Sequence, residues 1–236
     1  MDDRAQIDYG AYIGVGASIG QGAQVGFGTS IKSNTMIGAT TQVGSRSLIG
    51  VEVTIGSNAW IGPNVRVGDN SAIGADAWVS DDVLIDSNVV IGPESQIDAR
   101  AKIDSGVRID ADVHLGRDSH IESNVLIRPR VRLGPETKVG RRVNIDPGYP
   151  GLWLNTPMKI TDDVIFIGHS EGHAKYLTSV EGTAWVRSGR HWFTLTDAIK
   201  HWSSHREDRR YALCLMQIAA KIAALKGWTF EGLDSE

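Results

Sequence analysis

Between Ile7 and Ile145 every sixth residue is Ile, Val or Leu, 24 positions in succession without an insertion. Two places before each stands a second small residue, always Ala, Ser, Thr or Val, from Ala5 to Val143. A period of six matches neither the 3.6 of a helix nor the 2 of a long strand, so an amphipathic helix is excluded. Two inward residues one place apart share a face of an extended segment. Gly, Asn or Asp dominate three places after the aliphatic residue, as at Gly16, Asn34, Asn58, Asn64, Asp76 and Asn124. These types best accept positive φ at a turn. One short strand and one corner in each hexad predict a flat-faced prism closed around an aliphatic stack, its coils held by ladders about 4.8 Å apart.

The pattern [LIV]-[GAED]-x-x-[STAV]-x over residues 5–146 resembles the hexapeptide repeat of left-handed parallel β-helix proteins, a superfamily that includes acyltransferases. The resemblance implies three faces, 18 residues per coil, about eight triangular coils and left-handed winding. Physical chemistry alone favours the opposite hand for a parallel crossover. The expected fold is thus an all-β left-handed parallel β-helix over 1–146. A linker follows at 147–162, rich in Pro and Gly, and then a small α+β module at 163–236 ending in two helices.

An 18-residue coil fixes which outward residues stack. One face reads Gln6, Gln24, Gln42, Trp60, Trp78, Gln96, His114, Arg132. The second reads Tyr12, Ser30, Leu48, Arg66, Leu84, Lys102, His120, Lys138, and the third Ser18, Met36, Thr54, Ala72, Val90, Arg108, Leu126, Asn144. His114 and His120 therefore flank one corner, with Arg132 above the first and Lys102 and Lys138 around the second. Neighbouring cations disfavour a second positive charge, so His120 is expected neutral at pH 7 and able to accept a proton. Arg128, Arg130, Arg132, Lys138, Arg141 and Arg142 make the upper coils basic, whereas residues 69–86 hold five Asp and no Lys or Arg. The prism is polarised along its axis. Apolar outward residues, with Trp60 and Trp78 stacked, mark a contact surface, expected to be the side-by-side packing of a homotrimer.

In the module, VIFIG (164–168), AKYLTS (174–179), TAWVR (183–187) and RHWFT (190–194) read as strands, with turns at Glu181-Gly182 and Ser188-Gly189. Thr194-x-x-Asp197 and Ser204-x-x-Glu207 fit capping boxes, and Gly227 ends the second helix. Tyr211, Leu215, Ile218, Ile222 and Leu225 form a 4-3 seam suited to core packing. The pairs HSEGH (169–173) and HWSSH (201–205) are too loose to read as a metal site, and no metal is expected. The module resembles no family, and its expected role is to seal the last coil or to fix the trimer.

A net charge of −4 argues against nucleic acid as a partner. The single Cys214 excludes an internal disulfide and a cysteine-based zinc cluster. No apolar run reaches the roughly 18 residues of a membrane span, and no secretory signal is visible, so a cytoplasmic protein is expected. The resemblance implies transfer of an acyl group, acetyl above all, from acyl-CoA to a hydroxyl or amine of a sugar-like acceptor. On that reading His114 or His120 is the general base and Asp118 orients it. Arg117, Arg132 and Lys138 meet the donor phosphates, and Trp78 offers a stacking surface. The repeat lacks the protruding loop that completes the site in most such enzymes. A non-catalytic trimeric scaffold or adaptor is therefore the alternative, and a zinc protein like the γ-class carbonic anhydrases ranks last.

Overall fold

The computed structural model describes residues 4–146, 152–154, 159–170, 173–180, 182–189, 191–203 and 210–230. Each hexad forms a two- or three-residue strand, beginning with Gln6–Ile7, Tyr12–Ile13 and Ser18–Ile19, and successive hexad strands 18 residues apart pair in parallel, up to Leu126–Ile127 with Asn144–Asp146. Three parallel sheets result, one to each face, as the repeat requires. The architecture is a parallel β-solenoid of about eight turns followed by two helices, in agreement with the fold expected from the hexads.

Inside, the aliphatic stack is closed: Ile31, Ile49, Ile61, Ile97, Ile103, Ile109, Leu115 and Ile121 are completely buried. Ser and Thr two places earlier add coil-to-coil hydrogen bonds. Thr35 Oγ1 donates to Gly50 O at 2.7 Å and accepts from Val53 N at 3.3 Å, and Ser47 does the same with Gly62 and Val65. A hydroxyl in the core is thereby satisfied on both sides, which removes the cost of burying it.

Positive φ falls three places after each aliphatic residue, from Gly10 through Asn34, Asn58 and Asp118 to Arg142. Thr40, Arg46, Glu52 and Arg100 also adopt it, at roughly 1–2 kcal/mol each for an ordinary side chain. The glycines directly after the aliphatic residues have another cause. A Cβ on Gly44 would stand 2.5 Å from Gly62 C, and one on Gly116 would stand 2.5 Å from Gly134 C. Close approach of successive coils, not turn geometry, keeps those positions bare.

Within the stretch that reads as a linker, the backbone at Leu152–Leu154 and Lys159–Ile160 adds a further rung to two of the sheets. Val164–Ser170 adds one to the third sheet, where Ile145 pairs with Val164. That sheet then turns antiparallel through His173–Val180, Thr183–Ser188 and His191–Thr194. The four strands match the four β-rich runs of the sequence. Their alternation gives the new sheet two apolar faces. Tyr176, Phe166 and Trp192 cover the aliphatic stack, while Leu177, Ala184 and Val186 pack against the helices. The module thus plugs the last coil. Lys175 is buried with it, its Nζ donating to Ser188 Oγ at 2.7 Å above the Trp202 ring.

Helix α1 (Leu195–Ser203) is capped by Thr194, whose Oγ1 accepts from Asp197 N and donates to the Asp197 carboxylate. Helix α2 (Arg210–Lys226) ends at Gly227, φ 70°; the Ser204-x-x-Glu207 box lies outside the described residues. The buried stripe of α2 is Ala212, Leu215, Met216, Ala219 and Ala223. The expected seam is only partly core, since Ile218 is 48% and Leu225 89% exposed. Ala212, Ala219 and Ala223 let the helix lie close to the sheet around Leu215 and Met216, while Ile218 and Leu225 face outward. The end of α2 is tied back to the solenoid: Lys226 Nζ reaches Asp163 Oδ2 at 2.9 Å, and Trp228 Nε1 donates to Asp162.

Candidate functional site

The ladders fall in the register that 18-residue coils require. His114 lies between Gln96 and Arg132 on one face, and His120 between Lys102 and Lys138 on the next. Both imidazoles are about one-third exposed. Trp60 and Trp78 stack at 4.1 Å between ring centroids, Trp78 two rungs below His114, about 10 Å down the same face, and Trp60 one rung further.

Each histidine has a carboxylate partner one coil beneath it. His114 Nε2 is 2.9 Å from Asp98 Oδ2, and His120 Nε2 is 3.1 Å from Asp104 Oδ1. On the third face Asp110 takes the equivalent position and meets Arg108 at 3.1 Å and Arg128 at 3.4 Å. These three aspartates replace the glycine that most hexads place after the aliphatic residue. The substitution repeats on all three faces of one coil and is visible in the sequence as Ile97-Asp98, Ile103-Asp104 and Ile109-Asp110. Only the register converts it into partners for residues 16 places later.

The expected orienting residue, Asp118, is engaged elsewhere. Arg100 holds it through two bonds, Nε to Oδ1 at 2.8 Å and a terminal nitrogen to Oδ2 at 2.7 Å. The hydrogen bonds from Arg100 keep the Asp118 carboxyl below its usual range, and those to Asp118 raise the guanidinium. Asp118 and Arg100 both sit at corners, and their ladder points along the corner rather than across the face. Arg117, Arg132 and Lys138 are all exposed. Arg132 and Lys138 are the rungs directly above His114 and His120, and Arg117 lies in the corner between the two histidines.

The two dyads differ in what else their carboxylate serves. Asp98 accepts a neutral hydrogen bond from Gln96 Nε2 at 2.7 Å on its other oxygen. Asp104 Oδ1 is shared with Lys102 Nζ at 3.0 Å. Burial raises the Asp104 carboxyl, yet the bonds from Lys102 and His120 outweigh it and bring the group below its usual range. The charge of Asp98 is thus available to His114, while that of Asp104 is divided. A carboxylate only accepts, so Nε2 of His114 carries a proton, and in the neutral tautomer that this bond selects the lone pair is on Nδ1.

The dyads stand on open faces. A shallow, mostly apolar groove of about 640 Å³ runs along the third face beside Ala72, Val90 and Pro93, reaching Arg108 and Asp110. A smaller one of about 390 Å³ lies on the second face between Lys32, Arg66, Asp69 and Asp86. Among the described residues no three His, Cys, Asp or Glu groups are placed to hold a metal ion. His201 stacks on Phe193 at 5.4 Å, His173 is exposed at a hairpin end, and His205 lies outside the described residues.

Residues 1–91 match the family model described as the GMPPB C-terminal domain. No curated protein matches. Among solved structures, a UDP-N-acetylglucosamine acyltransferase from Campylobacter jejuni superposes with a TM-score of 0.55 at 14% identity, covering 94% of this chain and 82% of its own. A UDP-N-acetylglucosamine acyltransferase from Bacteroides fragilis gives 0.49 at 17% identity, with 70% and 71% covered. The fold is that of the Campylobacter jejuni structure, and no helix is long and apolar enough to cross a membrane among the described residues.

Proposed function

We propose that the protein is an acyltransferase that moves an acyl group, acetyl above all, from acyl-CoA to a hydroxyl or amine of a sugar-like acceptor. The observation that carries this reading is the His114–Asp98 dyad, about one-third exposed beneath Arg132 on a solenoid face. His114 Nδ1 takes the proton of the acceptor O–H or N–H as the acceptor attacks the thioester carbonyl carbon. The tetrahedral intermediate then expels the CoA sulfur, which takes the same proton back from the imidazolium. Asp98 stabilises that imidazolium and fixes the ring, without itself being protonated. His114 is the base in preference to His120, because Lys102 draws on the carboxylate that His120 would need.

Arg132, Lys138 and Arg117 surround the dyads with positive charge suited to the donor's phosphates. Trp78, two rungs below, offers an apolar surface on the same face. A site on a flat face has one wall, and a second copy of the chain supplies the other in the homotrimer that the apolar strips favour. The likeness to sugar acyltransferases and the basic surround of the dyads support the reading.

The test is thiol release from acetyl-CoA by the purified full chain with a panel of amino sugars and nucleotide sugars. Acceptor-dependent release that His114→Ala abolishes is the expected result. No release with any acceptor, together with no rise in melting temperature at saturating CoA, selects the scaffold alternative, since a bound ligand stabilises the fold by mass action.

A further inference from the structure

One coil, residues 96–110, carries the same outward pair on each face: a long side chain that can donate a hydrogen bond, and an aspartate two places on. The pairs are Gln96 and Asp98, Lys102 and Asp104, Arg108 and Asp110. Residues two apart on a strand share its face, so each pair stands side by side. The carboxylates are used differently. Gln96 Nε2 donates to Asp98 Oδ1 at 2.7 Å, while His114 Nε2 meets the other oxygen, Oδ2, at 2.9 Å. Asp104 Oδ1 meets both Lys102 Nζ at 3.0 Å and His120 Nε2 at 3.1 Å. Asp110 lies between Arg108 and Arg128, and on that face Leu126 takes the place of a histidine.

The last torsion of an aspartate has no sharply preferred angle. One partner leaves the carboxylate plane free to swing, and partners on opposite oxygens hold it. The partner beside the histidine sets the local charge as well. A carboxylate has no hydrogen to give, so Gln96 turns its amide nitrogen to Asp98, and that nitrogen is neutral. Lys102 and Arg108 hold their aspartates too, but each brings a positive charge with it.

We propose that Gln96 is a positioning residue of the His114 site: through Asp98 it fixes the plane and tautomer of the imidazole without placing a cation on the carboxylate. The inference rests on His114 acting as the general base. Gln96 works through Asp98 alone, so its removal matters only while Asp98 is a carboxylate. The other charges around His114 are Arg132 and Arg130 on the coil above, Arg117 and the Arg100–Asp118 pair along one corner, and Asp112 and Glu94 along the other. All of them stay the same when residue 96 is changed, so variants at this position isolate its effect.

The experiment joins kinetics of the full chain to a readout that needs no turnover. Gln96→Leu keeps most of the bulk and removes the donor, and kcat is expected to fall about tenfold with KM for the acyl donor unchanged. In an Asp98→Asn background the same substitution lowers kcat no further. Gln96→Lys copies the second face, and Gln96→Glu adds a negative charge. The acid limb of the kcat/KM profile is expected to move to lower pH with the lysine and to higher pH with the glutamate. A merely structural role would not give opposite directions. Each variant is checked for native circular dichroism. Long-range proton–nitrogen spectra of chain carrying isotope-labelled histidine, with His114→Ala identifying the signals, show which nitrogen of the neutral ring holds the proton. Nε2 is expected in wild type, and a mixture with Nδ1 in Gln96→Leu. Absence of turnover in wild type fails the acyl-transfer reading, and the tautomer still decides whether Gln96 orients the ring. The proposal is overturned by an unchanged kcat in Gln96→Leu, a further loss in the Asp98→Asn background, limbs that move together, or a tautomer that does not respond.

Discussion

Nε2 of His114 lies 2.9 Å from Oδ2 of Asp98, 16 residues earlier and one coil below, and the other Asp98 oxygen is held by Gln96. The ring is therefore oriented by a carboxylate whose other oxygen takes a neutral bond. Asp98→Asn keeps the shape and loses that charge, and an amide can offer its N–H to the wrong tautomer. Acyl-transfer kcat is expected to fall roughly a hundredfold, within the range of general-base contributions. His114→Ala is expected to fall at least as far, and the double variant no further, because the two act as one unit. Steady-state kinetics of the three variants check this, and independent, multiplying losses would count against the dyad.

Asp104 titrates differently. Its carboxyl is brought below the usual range despite burial, by Lys102 and His120. A carboxyl depressed in the folded state contributes stability above its unfolded pKa and loses it as pH falls through the folded value. Wild type should thus lose more stability than Asp104→Asn between about pH 5 and the acid limit of the transition. For a partly exposed pair the difference is on the order of 0.5 kcal/mol. Urea unfolding at pH 7 and at pH 3.5 measures it. Because Lys102 competes for Asp104, the same substitution is expected to leave kcat within about tenfold of wild type, unlike Asp98→Asn.

How much of this was open to the eye follows from what a period can encode. The hexads specify the strands, the core and the stacking of His114 under Arg132, since each depends only on counting by six and eighteen. The terminal module was legible as strands because its turns carry Glu181-Gly182 and Ser188-Gly189. Asp98 is not legible as a partner, because it lies one coil below His114 while Asp118 stands closer in the sequence. The preference of Asp118 for Arg100 depends on the corner residues lining up along the axis, which the period shows only when the corners are stacked as the faces were. The apolar seam of α2 misled for another reason. Ala212, Ala219 and Ala223 pack because they are small, and a reading that weights large side chains passes over them.

Glycine after the aliphatic residue has a steric cause that mutation can separate from turn preference. Gly44 has no positive φ, yet a Cβ there would stand 2.5 Å from Gly62 C and Pro63 N. Backbone cannot yield without parting two coils. Gly44→Ala is expected to cost about 1–3 kcal/mol, as overpacking does. Gly22→Ala, at a corner with φ 69° and only Thr40 Cγ2 within contact at 3.5 Å, meets strain of roughly 1 kcal/mol from conformation alone. Chemical denaturation of both variants orders them, and a Gly22→Ala cost exceeding that of Gly44→Ala would reverse the assignment.

Sealing of the last coil makes a prediction about where the solenoid opens. Tyr176 is 2% exposed against Ile160 and Val164, and its phenol is pushed up by burial against the opposing charge of Arg187. Tyr176→Ala removes a ring from the plug and is expected to cost about 3 kcal/mol. Coils contact only their neighbours, so the loss is local in origin. Amide exchange should accelerate first at Val139, Val143 and Ile145, then at Leu133, and last at Ile61 and Ile49. An equal acceleration along the whole stack would mean that the solenoid unfolds as one cooperative unit and that the module does more than close its end. The gradient matters for the site, because Arg132 and Lys138 lie nearer the plug than His114 and His120 do. A frayed end would weaken anion binding before it disturbs the dyads, so KM for the acyl donor is expected to rise in Tyr176→Ala while kcat at saturation holds.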